Sequence, residues 1–277
     1  MRRVTLIQIP YDSGRRNTRM GTGPAGLMTR GLADKLRHQS EVRSVGVELP
    51  DGFHTETSAL IPLQHAAAAA ARDAVRRGAL PIFLSGNCGT AALSAVATLG
   101  SEEFCVVWFD AHGDFNTPET SPSGFLDGMG LAILAGQCWG KLAGRLDNFS
   151  PVPADRIIQI GVRQVDPGEK ALLESLRITQ IRELDQLPAA VNRVLQQAKS
   201  LYVHLDADVL DTSEGAANPY ACSGGLTRVQ LNDCLRLLAN TGATRAFSIT
   251  SYDAGSDSDG RIADALIEAA SIITGCG

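Results

Sequence analysis

Phe104-Cys105-Val106-Val107-Trp108-Phe109 runs directly into Asp110-Ala111-His112-Gly113-Asp114. Six unbroken apolar residues read as a strand covered on both faces, the pattern of a parallel sheet buried between helices. The charged residues that follow then stand at the strand's carboxyl end, where open α/β sheets bind their ligands. Outward from this stretch the rhythm repeats. Apolar runs of strand length lie at 4–9, 42–47, 80–84, 156–160, 178–181, 201–205 and 246–250. Helical patterns lie between them at 23–37, 57–77, 89–99, 167–176, 184–198, 227–239 and 260–274. Strand and helix alternating for the full length predict an α/β protein: a three-layer α/β/α fold with a roughly eight-stranded parallel sheet. No linker or internal repeat divides it, so one domain is expected over residues 1–277. The run from Ala66 to Ala71 has high helix propensity and reads as packing surface.

Composition narrows the function classes. The 277 residues are 44% hydrophobic and 20% charged, and the net charge is -5. An acidic balance argues against a nucleic-acid partner or an anionic membrane surface. No apolar run reaches the roughly 18 residues needed to span a bilayer. Met1-Arg2-Arg3-Val4-Thr5-Leu6-Ile7 is too short in its apolar part for a signal peptide and reads as a strand. Six scattered Cys imply free thiols in a reduced, cytoplasmic protein. Cys105 and Cys234 are expected in the core, whereas Cys138 and Cys276 suggest no role. Five His against thirty Asp plus Glu mean that any metal site must lean on carboxylates.

Two polar segments break the alternation, 110–124 and 206–225, each directly after an apolar strand. Asp110, His112 and Asp114 stand at i, i+2 and i+4, a spacing that puts all three side chains on one side of an extended backbone. Asp206-Ala207-Asp208 repeats the idea after Leu201-Tyr202-Val203-His204-Leu205. Four carboxylates and an imidazole at one sheet edge raise one another's pKa values and carry a desolvation penalty. One or two divalent cations resolve that conflict, and the donor set suits Mn²⁺ better than a structural Zn²⁺ site.

Asp110-Ala111-His112-Gly113-Asp114 and Asp206-Ala207-Asp208-Val209-Leu210-Asp211, with Gly224-Gly225-Leu226, resemble the signatures of the arginase/ureohydrolase family. The resemblance extends through the turn from Pro10 to Gly14, Gly23-Pro24, Leu84-Ser85-Gly86-Asn87-Cys88 and the stretch from Gly161 to Glu169. It implies two Mn²⁺ ions that activate a shared water toward a trigonal carbon, and metal ligands at Asp110, His112, Asp114, Asp206 and Asp208. The family's sixth ligand, a His, is matched by Cys88. Three outcomes stay open there: Cys88 ligates an ion with altered metal preference, stays a neutral thiol beside a loosely held ion, or marks the loss of that ion. Asp114 inherits a second role as general acid toward the leaving amine.

By the same resemblance, Asn116 and Ser123 meet a substrate α-carboxylate, and Asp166 with Glu169 meets its α-amino group. Neutral donors suit a carboxylate and an acid suits an ammonium. Residues of these types also close loops and cap helices, so that alternative stays open. Asp127 stands where the family has a His proton shuttle, and Ser251 where it has a Glu that salt-links the guanidinium; Asp253 or Asp127 is a candidate substitute acid. Tyr220 and Cys222 replace small residues, either narrowing the pocket or lying on a surface loop. The expected activity is hydrolysis of an amidino C–N bond in an arginine-like amino acid, a small-molecule substrate, by a homo-oligomer, trimer or hexamer. Two alternatives stand beside it: hydrolysis of N-hydroxy-L-arginine, releasing hydroxyurea in secondary metabolism, and a degenerate, non-catalytic member.

Overall fold

A computed structural model of the protein describes residues 2–50, 52, 54–100 and 104–275. Its strands are β1 (Arg2–Ile9), β2 (Tyr11–Asp12), β3 (Arg15–Arg16), β4 (Ser40–Gly46), β5 (Ala79–Ser85), β6 (Phe104–Phe109), β7 (Ile157–Ile160), β8 (Thr179–Ile181), β9 (Ser200–Asp206) and β10 (Thr244–Thr250). Every strand expected from sequence is present. The short antiparallel pair β2–β3 was not expected, since two residues per strand leave no periodicity to read. The other eight strands form one sheet in the order β4-β1-β5-β10-β9-β6-β7-β8, with parallel pairing throughout.

The helices are α1 (Gly23–Thr29), α2 (Leu32–Arg37), α3 (Glu56–Arg76), α4 (Cys88–Leu99), α5 (Gly130–Leu134), α6 (Gly140–Ala143), α7 (Pro167–Leu176), α8 (Leu187–Leu195), α9 (Arg228–Asn240) and α10 (Arg261–Ile273). The pattern at 23–37 is two helices rather than one. Gly31 interrupts it with φ +100°, a left-handed conformation that glycine adopts without a Cβ penalty. Helix α3 begins at a reciprocal cap, where Thr55 Oγ1 accepts from Ser58 N and Ser58 Oγ accepts from Thr55 N.

Side chains of β6 alternate between two cores. Cys105, Val107 and Phe109 join one face with α1, α2, α8, α9 and α10. Phe104, Val106 and Trp108 join the other with α3, α4, α5 and α7. Helix α4 is buried almost all round, because it lies between the sheet and the alanine face of α3, including Ala67, Ala68 and Ala71. No helix among the described residues is long and apolar enough to cross a membrane. Cys105 and Cys234 are core residues as expected, and Cys276 lies outside the described residues.

Strand order decides where chemistry collects. Strands β5, β10, β9 and β6 are consecutive neighbours, so their carboxyl ends lie side by side at about 4.8 Å intervals. The loop after β5 reaches Cys88, β10 ends at Thr250-Ser251, β9 at Asp206, and β6 at Asp110. Gly86, in the first of these loops, backs so closely on the β2 segment that a Cβ there would collide with the Tyr11 carbonyl and crowd Gly21. Gly86→Ala should therefore destabilise the protein by about 1–3 kcal/mol. A lowered urea midpoint with unchanged slope would register this, and an unchanged midpoint would refute the contact.

Candidate metal centre

Asp110 is 1% exposed and its two oxygens are both directed by N–H groups. Trp108 Nε1 donates to Oδ2 at 3.0 Å, and the His112 amide donates to Oδ1 at 2.7 Å. His112 Nδ1 stands 3.4 Å from Asp110 Oδ1 and 3.4 Å from Asp208 Oδ2. From β9, Asp206 Oδ1 accepts from Asp208 N at 2.8 Å, Asp208 Oδ1 accepts from Ala111 N at 3.3 Å, and Asn218 Nδ2 donates to Asp208 Oδ2 at 3.2 Å. Such donors fix the orientation of carboxylates before any cation binds.

Asp114 reaches the cluster by a different route from the extended spacing expected of it. Its φ is +49°, a left-handed turn, and its carbonyl accepts from Leu131 N and Ala132 N. Such a conformation costs on the order of 1–2 kcal/mol for a non-glycine residue and persists where its surroundings enforce it. Asp114 Oδ2 is buried without a hydrogen-bond partner among the described residues. A buried acceptor left in that state costs about 1–3 kcal/mol, more when charged.

Electrostatics point the same way. Burial, then the charges of neighbouring acids, pushes Asp114 and Asp206 well above the usual carboxylate range, and burial also raises Asp110. Burial also acts against Asp208, but hydrogen bonds and charge from His112 outweigh it and hold Asp208 below its ordinary value. Desolvation opposes the His112 charge, yet Asp110 and Asp208 together push its pKa up to about 12. A surplus of acid around one imidazole is the donor chemistry of a divalent-cation site, and these residues fit one.

Cys88 is the first residue of α4 and is 2% exposed. Its thiol donates to Asp206 Oδ2 at 2.9 Å and meets Thr250 Oγ1 at 3.1 Å and Ser251 Oγ at 3.2 Å. Burial first, then Asp206, Asp127, Asp114 and Asp110, pushes this thiol well above its ordinary pKa. Behind it lies His204, a residue that sequence reading passed over. It is wholly buried, stacked on Trp108 with ring centroids 3.6 Å apart, and kept neutral by burial. The signal was there: His204 precedes Asp206 by two residues in one strand, hence on the same side of the sheet. Arg163 was also missed. Its guanidinium donates to the carbonyls of Asp208, Gly161, Cys222 and Ser223, tying the Asp208 turn to the loop beyond it.

Of the site residues singled out from sequence, all but Asp110, Cys222 and Asp253 line one cleft of about 510 Å³. Asn116 Nδ2 donates to Asp166 Oδ2 at 2.9 Å, while Ser123 Oγ accepts from Phe125 N at 3.2 Å. Both Glu169 oxygens receive backbone amides, from Phe115 at 2.6 Å and Asp166 at 3.1 Å, so this carboxylate joins the two loops that carry Asn116 and Asp166. Tyr220 stands at the mouth, its ring 6.1 Å from Phe125, whereas Cys222 lies outside the lining. Ser251, with φ +57°, presents its hydroxyl to Cys88. Of the two candidate substitute acids, Asp253 is outside the lining and bonded to Gly255 N and Ser256 Oγ; Asp127 lines the cleft.

Three layers and an acid-rich centre at four adjacent strand ends define an α/β protein with a candidate metal site. The Arginase family model matches residues 2–274. Arginase from Bacillus caldovelox is 29% identical, with 86% of this chain and 87% of that one covered. Hepatic arginase from Aquarana catesbeiana is 30% identical, covering 88% and 83%. The solved Bacillus caldovelox arginase superposes with a TM-score of 0.88 at 24% identity over 99% of both chains. Formimidoylglutamase from Bacillus subtilis shares the fold at a TM-score of 0.78 and 16% identity, over 100% of this chain and 87% of that one. The chain belongs to the arginase family, and is a metal-dependent amidinohydrolase by that membership.

Asp127 provides a pH test. Burial pushes its carboxyl up to about 7, against hydrogen bonds from Asn87 and Gly89 that favour the charged form. The folded chain then binds more protons at this residue than the unfolded chain between about pH 4 and 7, so stability falls as pH rises through 7. Asp127→Asn should lack this loss, and its stability relative to the parent should grow from pH 4 to pH 8 in chelating buffer, measured by urea unfolding. A difference constant across that range would show that Asp127 does not titrate there.

Proposed function

We propose that the protein hydrolyses a C–N bond in the amidino group of an arginine-like amino acid, yielding urea or a urea derivative and an ornithine-like product. The observation that carries this reading is that His112, Asp114, Asp206 and Asp208 line the same cleft as Asn116, Ser123 and Asp166, with Asp110 grouped against His112 and Asp208. Asp110, His112, Asp114, Asp206 and Asp208, with Cys88, would hold two divalent ions, Mn²⁺ in this reading. When bound, such ions supply Lewis-acid activation of water and of the amidino carbon.

The remaining work falls to side chains. Ser123 Oγ keeps its own hydrogen to give to a substrate carboxylate, since its contact with Phe125 N is as acceptor. Asp166 meets the α-ammonium, with Asn116 orienting it at 2.9 Å and Glu169 holding its loop. Asp114, whose Oδ2 has no hydrogen-bond partner among the described residues, gives a proton to the departing amine. Asp127, with a pKa near 7, exchanges protons with solvent at the cleft wall. A homo-oligomer in the cytoplasm is part of the same reading.

A specific feature favours the second reading, in which the substrate is an N-hydroxyguanidine. Ser251 offers a neutral hydroxyl where a guanidinium would find a carboxylate, and Asp253 is turned away. A less basic amidine loses little at such a wall. The test is to load purified protein with Mn²⁺, count bound ions, and assay arginine, N-hydroxyarginine, agmatine and formiminoglutamate in parallel. Two ions per chain are expected, with urea from arginine under the leading reading, or hydroxyurea without urea under the second. No bound metal and no turnover on all four would overturn both. Ser251→Glu should shift kcat/KM toward arginine over N-hydroxyarginine by roughly 10–100-fold, the worth of one charged hydrogen bond. An unchanged ratio would remove Ser251 from the specificity argument.

A further inference from the structure

Two groups of potential ligand atoms share one carboxylate. Asp110, His112 and Asp208 have donor atoms within 4.8 Å of one another, and so do Cys88, Asp110 and His204. The first set is oxygen-rich with a single imidazole. The second joins sulfur, nitrogen and oxygen, a combination that favours softer ions such as Zn²⁺ or Co²⁺ over Mn²⁺, which stands at the weak end of the divalent series.

The surroundings of His204 resemble those that orient an imidazole ligand. Its Nδ1 meets Ser248 Oγ at 2.9 Å and Tyr202 OH at 3.0 Å, hydroxyls able to receive the ring proton there. That tautomer leaves the Nε2 lone pair free, the arrangement by which an outer hydrogen bond fixes a metal-binding His. Nε2 lies 3.2 Å from Thr250 Oγ1, the same hydroxyl that meets Cys88 Sγ at 3.1 Å. Thr250 Oγ1 has a carbonyl of its own, Leu205 O at 3.3 Å, so it can leave the pair without losing a partner. A second, independent observation points to a cation here. Asp114 Oδ2 is buried with no hydrogen-bond partner among the described residues, and three acids, Asp110, Asp127 and Asp206, act on Asp114 against the single opposing charge of His112.

We propose that the centre holds two unlike ions: Cys88, His204 and Asp110 select a thiolate-binding ion of the Zn²⁺ class, while Asp110, His112 and Asp208 hold Mn²⁺. This rests on the reading that the acid cluster binds divalent cations, and adds to it which ion goes where. As the softer ion binds, the Cys88 S–H bond breaks, the sulfur keeps the electron pair and becomes the ligand, and the proton leaves to solvent. His204 supplies the imidazole that the chain lacks at position 88.

The experiment loads the full chain with Zn²⁺ and Mn²⁺ in equal excess, removes free metal, and counts both ions. X-ray absorption at the zinc edge then reads the ligands. One Zn²⁺ and one Mn²⁺ per chain are expected, with one sulfur and at least one imidazole nitrogen on zinc. Cys88→Ser and His204→Phe should each lower Zn²⁺ affinity by at least about 100-fold while Mn²⁺ stays bound, since even an outer-shell partner is worth 10–100-fold. Should His204→Phe fail to fold, the zinc-edge spectrum of the unaltered protein decides alone. Zinc with sulfur but no imidazole would overturn the role of His204. Two Mn²⁺ taken up in preference to Zn²⁺ would overturn the proposal and leave the hydrolase reading standing. Binding of neither ion would overturn both.

Discussion

Like charge gathered where water is excluded is the constraint on which the rest of this structure depends. Asp110, Asp114, Asp206 and Asp208 are each at most 7% exposed, and one protonatable imidazole stands among them. Leaving four such groups ionised without compensation would cost far more than the 5–15 kcal/mol that separates folded from unfolded proteins. Two partial remedies are visible in the chain itself. Backbone and indole N–H groups are aimed at the carboxylates, and His112 is held charged by Asp110 and Asp208. No hydrogen-bond donor among the described residues reaches Asp114 Oδ2. A divalent cation would do what hydrogen bonds have left undone.

The fold creates the problem by its topology. Strands β9 and β10 are the last to be made, yet they occupy the middle of the sheet, between β5 and β6. Cys88 touches Asp206 across 118 residues and Thr250 across 162. Contacts of that sequence separation form late, because loop closure must come before them. The centre therefore assembles only when both halves of the chain have docked on these two strands. Arg163 then secures the Asp208 turn by hydrogen bonds to carbonyls on three segments, and Glu169 joins the two loops that carry Asn116 and Asp166. Neither needs to touch a substrate to matter for the site.

Much of this was legible in the amino acids. Continuous apolar runs such as Phe104 to Phe109 marked strands buried on both faces, and acids directly after them marked the reactive end of the sheet. What escaped did so for definable reasons. The helix expected over 23–37 broke at Gly31, because an amphipathic pattern survives an interruption that only backbone torsions reveal. Asp114 was expected on an extended backbone, yet a left-handed turn brings it in, enforced by amides from a helix that sequence reading did not detect. His204 was hidden within an apolar run, where a lone His reads as core. Its partners Trp108, Ser248 and Thr250 come from two other strands, and strand order is not written in either of them.

A cation that satisfies buried acids must also stabilise the fold that buries them. Thermal unfolding of the chelated protein, repeated with saturating Mn²⁺ or Zn²⁺, tests this most directly. Binding at a hundred times Kd adds about 2.7 kcal/mol, which for a chain of this size raises Tm by several degrees. That rise is expected for the parent, with its loss in Asp110→Asn, which weakens the one ligand common to both halves of the centre. An unchanged Tm with either ion would contradict the expectation.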